Sequence, residues 1–472
     1  MKLKRFLAAL AAVTMLAAPL TACDEETTES TADSVERTKS EDEVKVDTSG
    51  ANDYFANDPD ISGQTIQWLC YYDLNPQGND DRSNALALFE DERGGKIEWI
   101  STTYETMFDD LANRLLSGDP VDMVPYEWDA VPNGVYKNQY EPLGNYIDMD
   151  DPLWADVKGL ADKMKYKGEY YIVPFGLKDP VCITYSRTMM EDEGLDDPYE
   201  LYLEGKWDWD AFMDMMKTFV NNADDGDTRY GCTGWMGPAL LQSSGDTVVT
   251  YDGTKFANNI MSPKIEQAEL MIEEIANSNL YDTAWHSYFP DDGSSLFYAM
   301  APWALSESNG KNPDSDIFIV PFPKMPGTDE YYLCCSFAAN MLVKNSDKGD
   351  AVAQYVKCER IAATDPAYTE AAKEKALIPT VNASGEKTKY LTAEQYDVLQ
   401  EYQNPENVTP VFDFGNGMGT RMTSETYDYN TRGVMKNLQD ALITKYEGSP
   451  STWAELRDAW KAVIDEEIAK FN

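Results

Sequence analysis

The sequence predicts an α/β protein of two lobes built on parallel sheet with flanking helices. Three observations carry this. Strand-like and helix-like segments alternate from Gln64 to Val124, the pattern that builds βαβ units and hence a parallel sheet. Beyond a polar N-terminal stretch, roughly 415 residues remain, more than one simple core usually holds. The predicted strands run out into Tyr71-Tyr72-Asp73 and Tyr126-Glu127-Trp128-Asp129, and carboxyl strand ends are where ligand loops sit in such sheets.

The elements follow in order. Met1–Ala22 is a basic start, with Lys2, Lys4 and Arg5, and then an apolar run too short to span a bilayer. It ends in Leu20-Thr21-Ala22-Cys23, the pattern of a bacterial lipoprotein signal, so Cys23 is the expected lipidated N-terminus. Two acyl chains there would anchor the protein stably. Residues 23–57 are Thr, Ser, Asp and Glu with little to bury and read as a disordered acidic tether. TIQWLC is then a strand and SNALALFEDERGG a helix closed by Gly94-Gly95; KIEWI is the next strand. Thr102 to Glu105 reads as a capping box, followed by a helix with Met107, Phe108, Leu111 and Leu115 on one face and Gly118 as its stop. Val121–Val124 is the third strand. At the far end, Thr452 and Glu455 form another capping box, and Trp453, Leu456, Trp460, Val463, Ile464 and Phe471 recur at helical spacing.

Composition excludes several functions. The net charge of −44 becomes −47 once the three cations of the leader are removed, and so acidic a chain repels nucleic acid and anionic membrane surfaces. Six cysteines besides Cys23 could pair in 15 ways. None has metal or redox spacing, and neighbours Cys334 and Cys335 read as two small strand residues, the alternative being a strained vicinal disulfide. His286 is the only histidine, which argues against a transition-metal receptor and against enzymes built on a histidine base. No cofactor or metal is expected.

Several blocks in one order resemble a known family: YETMFDDLANRLLSGDPVDMV, YEPLGNYID, YKGEYYIVPFGLKDPVCITYSRTMMEDEGL, WDWDAFMDMMKTF, FYAMAPWAL, DIFIVPFPKMPG and SFAANMLVKNSDKGDAVAQYVKCERI. Together, over Thr65 to Arg360, they are similar to the extracellular solute-binding proteins of ABC importers, in the sugar-binding group that includes maltose-binding proteins. Ser186-Arg187 departs from the usual Asn-Lys after Tyr185, and the match is loose beyond Ala376. The resemblance implies a periplasmic-binding-protein-like fold of type II, two lobes that are each a mostly parallel sheet flanked by helices and are joined by a hinge. Residues 58–163 with 331–375 would form one lobe, and 164–330 with 376–472 the other. It also implies a monomeric, non-catalytic receptor that hands a carbohydrate to ABC permease subunits. The expected place is the outer face of the cell membrane in a Gram-positive-type envelope, or the periplasm.

The site residues follow from what a sugar needs. Its apolar C–H face suits an aromatic plane and its hydroxyls suit carboxylates, and 29 Tyr with 11 Trp supply the planes. Tyr72 with Asp73, and Trp128 with Asp129, place an aromatic beside a carboxylate at a strand end, although Trp128 could equally pack against the hinge. Trp235 lies on flexible backbone in GCTGWMG, Trp303 resembles a family position that lines the cleft, and Asp179 follows the Pro174 turn as a hydroxyl acceptor or a solvated loop residue. Trp207 and Trp209 flank a helix start and are expected in the core. Phe414–Arg421, FGNGMGTR, could approach a ligand closely but lacks the spacing of a phosphate loop. Two other readings stay open: the same fold carrying a peptide, polyol or other polar solute, and a secreted glycosidase using two carboxylates.

Overall fold

The computed structural model describes residues 48–76, 82–127, 129–405 and 407–472. The leader, Cys23 and Trp128 lie outside the described residues. Among those described, no helix is long and apolar enough to cross a membrane.

Two five-stranded sheets organise the chain. The first runs Lys96–Ser101, Thr65–Cys70, Met123–Pro125, Asn340–Val343, Tyr140–Glu141, and the second Tyr281–Asp282, Tyr230–Gly234, Ser295–Met300, Cys182–Ser186, Ile317–Pro321. In each, the first three strands are parallel, the fourth opposes them and the fifth opposes the fourth. Four of five strands therefore share one direction in both sheets.

The reversed strand has a topological cause. Gly176–Lys178 pairs antiparallel with Ser336–Ala338, and these two short strands are where the chain passes between the sheets. Cys182, just beyond the first, is in register with Met300 and Pro321, the last residues of their strands. Asn340, just beyond the second, is in register with Pro125, also a last residue. Each passage thus delivers the chain to the carboxyl end of a sheet, and it can only continue against the other strands. The carboxyl ends of both sheets consequently flank the crossing pair, which is where ligands bind in α/β sheets.

Local elements match the sequence pattern with specific differences. Ser83 caps Asn84–Ala87, accepting from the Leu86 N–H at 3.1 Å; the helix relaxes into a wider turn at Leu88–Glu92 before Gly94. The box expected at Thr102 to Glu105 does not form. The helix begins at Met107, and the Thr103 hydroxyl instead accepts from the Thr106 N–H at 3.2 Å. Gly118 stops it in the left-handed region, φ 78°. In the terminal helix Trp453–Ile468, Thr452 makes its half of the box with the Glu455 N–H at 3.4 Å, but the Glu455 carboxylate turns to the Ser451 N–H. Trp453, Leu456, Ile464 and Phe471 of this segment are buried.

Packing follows the sheets. Trp68, Phe89, Trp154 and Tyr355 fill a core on the first; Trp207, Phe212, Phe297 and Phe322 fill one on the second. Trp207 and Trp209 are core residues, their indole N–H groups donating to the Pro321 carbonyl at 2.8 Å and the Ser243 hydroxyl at 2.9 Å. The helix Ala393–Tyr402 lies on the last strand of the second sheet, Gln395 donating to the Ile317 carbonyl at 2.7 Å. All six described cysteines are free thiols, Cys70, Cys182, Cys232 and Cys358 being buried.

Candidate ligand-binding site

Three side chains meet where the first sheet runs into the crossing. Tyr71, one residue past Thr65–Cys70, donates its hydroxyl to Glu127 Oε1 at 2.9 Å. Glu127, two residues past Met123–Pro125, also accepts from Lys178 Nζ at 2.9 Å, and Lys178 ends the crossing strand. One carboxylate therefore links two strand ends to the hinge. The Glu127 and Lys178 side chains are only 11 % and 25 % exposed, so losing either partner would strand a half-buried charge. Burial works against the Lys178 ammonium, but the Glu127 and Asp179 carboxylates outweigh it and hold the group above its usual range. Asp179 sits at φ 51°, in the left-handed region. Burial pushes its carboxyl up to about 6, with Lys178 opposing and Glu127 reinforcing the shift. An apolar wall adjoins this cluster: Tyr126 lies 6.1 Å from Phe337, which stacks on Phe412 at 3.7 Å.

The second sheet contributes aromatic surface. Gly234 ends its strand at φ 87°, and a Cβ there would lie 2.3 Å from the Ala299 carbonyl oxygen. Only glycine fits. That tight turn lets the Trp235 N–H donate to the same carbonyl at 2.6 Å and sets the half-buried indole at the start of helix Met236–Ser243. Trp303, in the turn Pro302–Ala304 after Ser295–Met300, is also half-buried, and its indole N–H is buried with no acceptor among the described residues.

The remaining expected residues are placed otherwise. Tyr72 packs towards the first core, edge-on to Trp68 at 5.7 Å, and its carbonyl accepts the Trp68 indole N–H. Asp73 shapes its loop, Oδ1 accepting from the Asn75 backbone and side chain. Asp129 is buried, with both oxygens accepting from the Asn133 amide at 2.9 and 2.8 Å and Lys137 3.8 Å away. Burial raises its carboxyl while Asn133, Lys137 and the Gly419 N–H oppose the shift. That aspartate is occupied as an anchor between a first-sheet loop and the C-terminal glycine loop, and does not present a free carboxylate. The glycine loop itself closes on Val131, whose carbonyl leaves no room for a Cβ at Gly417.

Tyr71, Glu127 and Lys178 were not among the residues expected from sequence. Tyr71 and Glu127 stand inside the two strand-end clusters, where Tyr72 with Asp73 and Trp128 with Asp129 are the expected pairs, although Tyr126 with Glu127 fits the same pattern. Lys178 carries no local signal.

Residues 75–358 match the family described as bacterial extracellular solute-binding protein. The chain belongs to that family. It is accordingly a binding protein of a receptor family without catalysis. No significant match exists among curated protein sequences. In structure, this solute-binding protein is similar to the galacto-N-biose/lacto-N-biose I-binding protein of Bifidobacterium longum, with a TM-score of 0.60 at 12 % identity, covering 88 % of this chain and 99 % of that one. It is similar to an ABC substrate-binding protein of Listeria monocytogenes solved with cycloalternan, at TM-score 0.57, 15 % identity and coverage of 86 % and 98 %. A binding protein from B. animalis subsp. lactis, solved with β-1,6-galactobiose, gives 0.56, 16 %, 86 % and 98 %. At such identities these matches establish the periplasmic-binding-protein-like fold.

Proposed function

We propose that the solute this ABC-importer receptor captures is a carbohydrate, an oligosaccharide held between two closing lobes. The observation that carries this is that the carboxyl strand ends of the two sheets bear two complementary kinds of surface. Half-buried indoles of Trp235 and Trp303 come from the second sheet, and the Tyr71–Glu127–Lys178–Asp179 cluster comes from the first sheet and the crossing. An indole covers the C–H face of a pyranose, and the Asp179 and Glu127 carboxylates accept hydrogen bonds from its hydroxyls. Lys178 holds the Glu127 carboxylate in place through their 2.9 Å ion pair. Neighbours of this fold bound to cycloalternan, lacto-N-biose and galactobiose support the same cargo class. The proposed lobes are residues 58–163 with 331–375 and 164–330 with 376–472. Binding closes them about Gly176–Lys178 and Ser336–Ala338, excluding water and presenting the closed form to the permease.

A thermal-shift screen of residues 23–472 against glycans, peptides and polyols tests the reading. A ligand at 100 times its Kd adds about 2.7 kcal/mol of stability, and solution scattering should then show a smaller radius of gyration. Stabilisation by a peptide or polyol alone would replace the sugar, and an unchanged scattering profile at saturation would remove closure. We also propose that a lipid on Cys23 holds the receptor at the outer membrane face. Cys23→Ala should release it from the membrane fraction, and firm retention would refute the anchor.

A further inference from the structure

Among the described residues, Trp285 is the one tryptophan that stands exposed, at 60 %. It follows Tyr281–Asp282, the edge strand of the second sheet, at its carboxyl end. The backbone on either side of it is tied down. The Thr233 hydroxyl donates to the carbonyls of Asp282 at 3.1 Å and Ala284 at 3.4 Å, and the Tyr298 hydroxyl donates to the His286 carbonyl at 2.8 Å. His286 is further pinned by Asp282 through a 2.8 Å contact, and Asp282 also accepts from the Ala284 N–H. Bonds from two neighbouring strands thus hold rigid a turn whose tip is a large apolar ring in water. Trp207, Trp209 and Trp453 show that this chain buries such rings when packing is their purpose.

Strand order gives the ring its context. Tyr281–Asp282, Tyr230–Gly234 and Ser295–Met300 are consecutive in the sheet, and they are followed by Trp285, Trp235 and Trp303 respectively. Three tryptophans therefore leave three adjacent strands at the same end. The outer two strands are about 10 Å apart, a distance one pyranose ring cannot bridge and a chain of them can.

We propose that Trp285 is a third sugar platform, outside the hinge-proximal cluster, and that the cargo is an oligosaccharide whose distal units stack on it. This rests on the carbohydrate reading above. A rigid, pre-ordered indole costs little entropy on binding, and an edge-strand position leaves room for a chain to continue out of the cleft.

The test is calorimetry of the full mature chain with α-1,4-glucan, β-1,4-glucan and β-1,6-galactan series, from mono- to pentasaccharide. Trp285→Ala changes an exposed side chain, and unaltered melting without ligand verifies its fold. For the series that binds, it should weaken tri- and longer saccharides about tenfold, leave the shorter members unchanged, and be largely rescued by Trp285→Tyr. Equal affinities at every length, or an equal loss at every length, would overturn the third platform. In that case Trp303→Ala weakening all lengths would leave the carbohydrate reading standing. Failure of every series to bind the parent would remove the carbohydrate reading, and this inference with it.

Discussion

Asp179→Asn should stabilise this protein, and do so more at high pH than at low. The carboxyl is pushed from 3.8 to about 6 in the folded state, chiefly by burial. A carboxyl raised in this way gives stability that is complete below its unfolded pKa and is lost as pH rises through the folded value. The difference of roughly two units corresponds to about 3 kcal/mol lost by pH 8, and about half of that is already lost at pH 5. Asparagine carries no charge to bury, so the advantage of the variant should about double between pH 5 and pH 8. Asparagine also tolerates positive φ as well as aspartate does, and that contribution does not vary with pH. Urea unfolding of parent and variant at the two pH values reads the difference directly. An equal gain at both, or a loss at pH 8, would refute the reasoning, because it would mean the carboxylate is well solvated or well paired where it stands. The variant should also bind the proposed carbohydrate about tenfold more weakly, since a neutral amide is a poorer acceptor than a carboxylate.

Trp303→Ala should weaken sugar binding 10- to 100-fold with the fold intact, because burying about 80 Å² of indole contributes roughly 2 kcal/mol; isothermal titration checks this, and an unchanged Kd would take Trp303 out of the site. Gly234→Ala should cost about 2–4 kcal/mol, from the left-handed backbone and the approach of the Ala299 carbonyl, and should also weaken binding by displacing Trp235; a melting temperature equal to the parent's would contradict the geometry. Glu269 is fully buried in helix Pro263–Asn277, neither carboxylate oxygen has a partner among the described residues, and burial holds its carboxyl well above the usual range. Glu269→Met should therefore add about 1–3 kcal/mol at pH 8 and progressively less as pH falls towards 5, as read from thermal melts; destabilisation at pH 8 would show that the carboxylate is held by a partner.

The sequence by itself determined the elements that consecutive residues encode. Thr65–Cys70 and Lys96–Ser101 declare themselves by alternation, Gly118 by its place after an amphipathic run, and Trp207 and Trp209 by flanking a helix start. Order of blocks carried the two-lobed fold and the receptor family, because a fold's sequence of elements survives where individual residues do not. Helix starts were less legible: at Thr102 to Glu105 the box residues are present, yet Thr102 and Thr103 find other partners once the strand before them fixes the entry of the chain. The site needed the tertiary structure. Glu127 and Lys178 are 51 residues apart and meet only because the crossing strand passes the end of the first sheet, while Asp129, chosen for its place beside an aromatic, is claimed by Asn133 and by Gly419 of a distant loop. A strand's period says which way a side chain points, but not what the folded chain brings in front of it; that depends on contacts between segments far apart in sequence, and these the topology alone decides.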